Sequence, residues 1–169
     1  MASESLFKNI KNHFLRTTLE VIVSAIPGVI ILSFFIFLIG ILNIFFNLSE
    51  ANDITIFFYF PVICILPIII GILSTLILER VQGSDVVNLK LSVLVSFISS
   101  FFGSLFPSIV LFVVGLGFNS FKPFGFAVEN ILPSPFGLLI SSFILVFSSV
   151  FLSLLGTILY SLILKKIEK

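Results

Sequence analysis

Charged residues are scarce in this sequence. Asp, Glu, Lys and Arg make up 10% of its 169 residues, and the formal net charge at pH 7 is +1. A chain with so little charge has no long-range field that would attract a polyanion, and its few basic residues are divided among short, separate segments. We therefore expect no nucleic-acid partner.

Residues that support metal or nucleophilic chemistry are equally few. His13 is the single histidine and Cys64 the single cysteine, which excludes a multi-histidine metal centre, a thiolate cluster and an intrachain disulfide. A Cys–His nucleophile pair is not expected, because Cys64 lies inside an apolar run and His13 precedes the first one. Serine is abundant, but the sequence contains neither a G-x-S-x-G elbow nor a P-loop. We predict no catalytic, cofactor-binding or metal-binding residue and no cofactor.

Apolar residues, by contrast, dominate the chain. They make up 59% of it, 23 of them are Phe, and the mean hydropathy is +1.31. A soluble domain of this length could not bury so much apolar surface. Lipid is therefore the expected surrounding.

Four apolar segments are long enough to cross a bilayer, and none contains a charged residue; they cover approximately residues 21–46, 54–78, 91–118 and 136–164. A helix needs about 20 residues to cross roughly 30 Å of hydrocarbon. The segments are continuously apolar, whereas the strands of a membrane barrel alternate. We predict an all-α membrane protein, with four transmembrane helices in a compact bundle over residues 21–164.

Eight of the nine basic residues fall on one side of this predicted topology, in the N-terminal segment, the middle loop and the C-terminal tail. Lys122 is the one basic residue on the other side. Cytoplasmic segments carry the excess of Lys and Arg in membrane proteins. We predict a multi-pass protein of the cell membrane with both termini in the cytoplasm, so that the tail, 165–169, is a basic cytoplasmic segment.

Two segments outside the spans each allow two interpretations. Residues 1–20 are predicted to be a cytoplasmic amphipathic segment, because Leu6, Phe7, Ile10 and Phe14 recur at helical spacing. Its first part either lies on the inner leaflet or extends the first helix. The Phe-rich loop 119–135 either lies in the outer interface or re-enters the membrane.

Small residues form stripes along the third and fourth spans. In the fourth, Ser142, Ser149 and Gly156 recur every seven residues, with Ser153 between the last two. A similar stripe in the third span consists of Ser92, Ser96, Ser100 and Gly103. Small side chains let helix backbones approach closely, and hydroxyls add hydrogen bonds. We predict that the two stripes form a helix-packing or oligomer face, with the third span packed on the fourth.

A short internal similarity suggests two tandem helical hairpins. Residues 73–80 read LSTLILER and residues 159–166 read LYSLILKK, and each segment closes an even-numbered span. Pro27 and Pro107 also lie within the two odd-numbered spans. A duplicated hairpin would explain both features, although low-complexity apolar sequence produces such similarities by chance.

Because the patterned residues are packing residues, we expect a non-enzymatic membrane subunit or assembly factor. Its partners would be the lipid bilayer and either further copies of the chain or other membrane subunits. The alternative is a small channel or transporter component for a neutral or small solute, since the same hydroxyls could line a path. Proton- and ion-coupled transporters usually keep a charged group at mid-membrane, and these spans contain none.

Overall fold

The computed structural model describes residues 7, 10–46, 61–83, 88–117 and 134–167. Regular structure in these residues is helical, in the order α1 (His13–Phe46), a π-helical turn (Pro61–Ile65), α2 (Leu66–Gln82), α3 (Leu89–Gly117) and α4 (Ser134–Ile167). Four helices are long and apolar enough to cross a membrane, and they pack together. The prediction of an all-α chain with four such helices is confirmed. The loop 119–135 lies outside the described residues.

The first helix begins before the predicted span, because Asn12 caps it. Its Oδ1 atom accepts hydrogen bonds from the backbone N–H groups of Phe14, at 3.1 Å, and Leu15, at 3.4 Å. A side chain at this position satisfies amides that have no partner in the first turn. The second half of the predicted amphipathic segment therefore extends α1. Before Asn12, the Ile10 N–H donates to the Phe7 carbonyl at 3.1 Å, and residues 1–6, 8 and 9 lie outside the described part.

The second helix has proline at its start and glycine at its end. Pro61 opens the π-helical turn, and Pro67 lies in the first turn of α2, which follows that turn without a break. Proline cannot donate a helical hydrogen bond, so the change of helix type coincides with a missing donor. At the other end Gly83 has a left-handed backbone with φ 62°, and its N–H donates to the Glu79 carbonyl. Gly takes up this conformation without a side-chain clash.

Contacts between pairs of residues define the direction of each helix. α1 runs parallel to α3, because Ser99 contacts Ala25 and Gly103 contacts Ser33 further along both helices. α2 and α4 are likewise parallel, since Gly71 contacts Thr157 and, further along both, Glu79 contacts Tyr160. Successive helices alternate in direction, so the start of α1 and the end of α4 lie at one end of the bundle, here called the terminal end. α2 and α3 each contact the three other helices.

Pro107 shapes the contact between α1 and α3. It lies inside α3, and because proline lacks an amide hydrogen, the carbonyl of Gly103 loses its helical donor. Ser33 of α1 replaces that donor, with its Oγ 3.0 Å from the Gly103 oxygen. A Cβ on Gly103 would lie 3.0 Å from the Cβ of Leu32. The glycine thus lets α1 come close enough to hydrogen bond to the interrupted helix.

Apolar packing in the interior forms two clusters. One contains Leu32, Ile36, Ile70, Leu111 and Leu145, and the other contains Val21, Ala25, Leu78 and Val95. The second cluster lies toward the terminal end, and together the clusters take residues from all four helices. Buried serines lie between them on α3, and these serines form part of the candidate site.

Two glutamates connect helices at the terminal end. Glu20 is 3% exposed and accepts hydrogen bonds from Arg16 Nε at 2.8 Å and from Gln82 Nε2 at 3.2 Å. Glu79 accepts a hydrogen bond from the Tyr160 hydroxyl at 3.0 Å. The hydrogen bonds of Glu20 join α1 to α2, and that of Glu79 joins α2 to α4. Charge-assisted hydrogen bonds of this kind are stronger than neutral ones.

We predict that Glu20→Ala destabilises the bundle by about 1–3 kcal/mol, because Arg16 and Gln82 lose a shared buried acceptor. The measurement is thermal unfolding of the purified protein in mild detergent. Glu20→Gln retains an acceptor oxygen and should recover part of the loss. A Glu20→Ala protein as stable as the wild type would contradict this account of the terminal end.

Candidate functional site

The candidate site lies where α2, α3 and α4 meet in the interior. We call it the hydroxyl cluster, and it consists of Gly71, Ser74, Thr75, Ser96, Ser99, Ser153 and Thr157. All seven residues are buried. A buried hydroxyl needs a hydrogen-bond partner to offset its lost hydration, so the geometry of these contacts determines what the cluster can do.

Two glycines bring α2 and α4 into backbone contact. A Cβ on Gly71 would lie 2.0 Å from the carbonyl oxygen of Ser153, and a Cβ on Gly156 would lie 2.2 Å from that of Ile68. Both distances are too short for any real side-chain atom, and the obstructing atoms belong to backbone that cannot rotate away. Glycine is therefore required at both positions, and the pair sets the separation of the two helices.

The carbonyl oxygen of Gly71 is the centre of the cluster. Hydroxyls from three helices approach it: Thr75 at 2.9 Å, Thr157 at 3.2 Å and Ser96 at 3.4 Å. Ser96 and Thr157 also lie 2.5 Å apart, oxygen to oxygen, and either can be the donor. Each hydroxyl carries one proton and a carbonyl has two lone pairs, so these groups must exchange donor and acceptor roles. The result is a shared network and not a set of independent pairs.

The cluster extends to α1 through Ser99. Its hydroxyl lies 3.1 Å from that of Ser74, 2.8 Å from the Val95 carbonyl and 3.2 Å from the Ala25 carbonyl. A Cβ on Gly28 of α1 would lie 2.8 Å from the Ser99 Cβ. Close approach at Gly28 therefore places Ser99 within reach of the α1 backbone, and the contacts of the cluster, taken together, involve all four helices.

The predicted stripe residues occupy several different interfaces. Ser153 of α4 donates to the Ser96 carbonyl of α3 at 3.4 Å, a contact between the third and fourth spans. Gly103 instead packs on α1, and Gly156 packs on α2. The remaining stripe serines are Ser92, Ser100 and Ser149, which are buried, and Ser142, which is half-buried. The stripes thus contribute to three interfaces, whereas the prediction assigned them to one.

Several residues of the cluster were not anticipated from the sequence. Gly71, Ser74 and Thr75 have the spacing that places small or hydroxyl side chains on one face of a helix. Thr157 follows Ser153 by four residues and so continues the stripe of α4. Both patterns are present in the sequence, but each places only a few small or hydroxyl residues among long apolar runs, which makes the signal weak.

Two serine hydroxyls of α3 differ from the others. Ser92 Oγ and Ser108 Oγ are buried and have no hydrogen-bond partner among the described residues. They lie about 24 Å apart along the helix, from the rise per residue, at either end of a row of buried serines. The cluster itself has neutral groups only, so its hydroxyls can bind, pack or exchange hydrogen bonds, but they have no adjacent base that would activate them.

Comparison of the chain with protein-family models, with curated proteins and with solved structures gives no match. The function of the protein is therefore inferred from its own residues.

We predict that Gly71→Ala destabilises the bundle by about 3 kcal/mol, because overpacking against rigid backbone must push α2 away from α4. Gly103→Ala is the matched control. There the added methyl group meets side-chain and Cα atoms at 3.0 Å or more, and we expect a loss of about 1 kcal/mol. Unfolding in detergent or lipid measures both. Equal losses would show that the backbone contact does not set the helix separation.

Proposed function

We propose that this chain is a non-enzymatic subunit or assembly factor of a membrane complex, held in the bilayer by its four helices. The observation that carries this proposal is that the hydroxyl cluster directs its hydrogen bonds into helix–helix contacts. Gly71 alone receives hydroxyl contacts from two other helices, through Thr157 and Ser96. Groups used in this way stabilise a scaffold, since binding a solute there would require breaking the contacts that hold the helices together.

The distribution of polar and apolar residues supports insertion in lipid. Fully buried positions include many serines, among them Ser74, Ser96 and Ser153, whereas Phe34 and Phe147 are 60% and 68% exposed. A protein in water would have the opposite distribution. In lipid the apolar side chains can face outward, and small polar residues are favoured between helices.

The proposed orientation has the terminal end in the cytoplasm. Arg16 lies near the start of α1, Arg80 in the last turn of α2 and Lys90 in the first turn of α3, so all three lie at the terminal end. The positive-inside rule then favours cytoplasmic termini and a cytoplasmic middle loop. Lys122, on the other side in the sequence, lies outside the described residues.

This orientation predicts a labelling pattern for single cysteines introduced in a Cys64→Ser background. Cysteines at Ser49 and Gly125 should react with a membrane-impermeant thiol reagent on intact cells, and a cysteine at Ser84 should react only after lysis. Disruption of the cells provides the control for reactivity. Labelling of intact cells at Ser84 alone would reverse the orientation.

Two tandem hairpins are also proposed as the plan of the bundle. The hydrogen bond from Thr157 to Gly71 joins residues 86 apart in the chain. Leu73 and Leu159, which begin the two similar octapeptides, have the same separation. Corresponding positions of α2 and α4 thus lie side by side at the same height, as expected if each hairpin repeats the other.

A channel or transporter component is the second candidate. The row of buried serines on α3 favours it, because that row extends about 24 Å, close to the thickness of the hydrocarbon. The hydroxyls of Ser92 and Ser108, which have no hydrogen-bond partner in the part of the chain that the structure describes, would be available to a passing solute or water molecule. Such a path would rely on neutral groups, so a neutral or small solute fits it best.

The subunit proposal predicts that the protein, extracted from its own membrane in mild detergent, carries other polypeptides with it. Native mass spectrometry, with crosslinking before extraction, measures this directly. A monomer or a homo-oligomer would contradict the subunit role and favour transport. Liposomes then test the second candidate: saturable uptake of a defined solute, altered by Ser100→Ala or Ser149→Ala, would support it.

A further inference from the structure

A cleft of about 500 Å³ opens at the terminal end, between the first turns of α1 and α3 and the last turn of α2. Its lining includes His13, Arg16 and Glu20 from α1, Gln82 from α2, and Asn88 and Lys90 from the start of α3. The cleft is separate from the hydroxyl cluster, since it shares no residue with it. From its charge, shape and position we propose that it binds the phosphate group of an anionic membrane lipid.

The charges lining the cleft favour an anion. Arg16 donates from Nε to the buried Glu20 at 2.8 Å, so these two side chains largely neutralise each other while holding the guanidinium at the wall of the cleft. Lys90 is exposed and adds a positive charge on a flexible stem. A compact ammonium group of this kind is a common ligand of phosphate.

The backbone adds to this positive potential. Because α1 and α3 are parallel, both helices begin at the cleft and present their N-terminal ends to it. Asn12 accepts from amides of the first turn of α1, and Asn88 accepts from the Leu91 N–H at 3.4 Å. The remaining first-turn amides and the helix dipoles favour negative charge nearby. Lys90 and two helix starts thus act on the same space, beside the neutralised pair of Arg16 and Glu20.

The surroundings of the cleft indicate a lipid and not a soluble phosphate compound. Three apolar residues next to the lining residues in the sequence are strongly exposed: Phe14 at 79%, Leu15 at 49% and Leu89 at 44%. Apolar side chains so exposed at the end of a membrane-spanning bundle would contact acyl chains, while the cleft lies at headgroup depth. Basic pockets between transmembrane helices on the cytoplasmic side are suited to anionic lipid headgroups.

The experiment measures lipid binding to the purified protein in mild detergent by native mass spectrometry, with phosphatidylglycerol and phosphatidylcholine as probes. We expect phosphatidylglycerol to bind more tightly. Lys90→Gln should weaken its binding by about fivefold, the effect expected for one basic side chain near an anionic lipid. Lys90→Arg should retain the binding. Lys11→Gln is the matched control, because Lys11 is exposed near the same end but does not line the cleft.

Equal binding of the two lipids would overturn the proposal, as would equal losses in Lys90→Gln and Lys11→Gln. Inorganic phosphate distinguishes the source of the phosphate: if it displaces phosphatidylglycerol completely at millimolar concentration, the cleft binds free phosphate and the lipid assignment is wrong. The inference rests on the proposed membrane insertion but not on the subunit role. Lipid affinity and the mass of the native complex are measured separately. The lipid-binding proposal can therefore fail while the subunit proposal holds, and the reverse.

Discussion

The backbone contact between α2 and α4 at Gly71 and Gly156 is the constraint on which the rest of the bundle depends. In lipid, helices gain little from excluding apolar surface, because lipid tails are as apolar as their side chains. Association then depends on close packing and hydrogen bonds. A Cβ on either glycine would lie within 2.2 Å of a carbonyl oxygen. This close approach brings Thr157 within reach of the Gly71 carbonyl, and Ser96 of α3 completes the same network.

A backbone carbonyl that lacks its helical donor is hydrogen-bonded from a neighbouring helix in the same way, between α1 and α3. Pro107 removes the donor to the Gly103 carbonyl, and Ser33 supplies another from a neighbouring helix. A proline that would be costly in an isolated helix thus becomes a point of attachment between α1 and α3. Serines in this bundle serve two purposes, since their small size permits close approach and their hydroxyls satisfy carbonyls that the helix leaves open.

The helical class and the four apolar segments could be predicted from the sequence, because length and continuous hydrophobicity determine them. The pairing of helices could not. All four are apolar around most of their circumference, so no amphipathic face identifies the side that packs. Gly103 and Ser96 belong to one predicted stripe, yet they contact α1 and α4 respectively. The role of Gly71 depends on Ser153 and Thr157 of α4, the second of them 86 positions away in the chain, which no local pattern reveals. Glu20 immediately precedes the first predicted span, yet it is buried and accepts a hydrogen bond from Gln82 of another helix, which no local pattern indicates either.

The inward orientation of the hydroxyls also limits how a partner can be recognised. A helix that approaches from the lipid meets exposed side chains such as Phe102, Phe147 and Phe151, which offer shape and dispersion but no hydrogen bonds. Such contacts discriminate weakly between apolar partners. The terminal end differs, because its charged side chains and its cleft present directional groups at one end of the bundle. Specificity for a lipid or for a second polypeptide is therefore expected to reside there, while the apolar faces of the helices supply contact area.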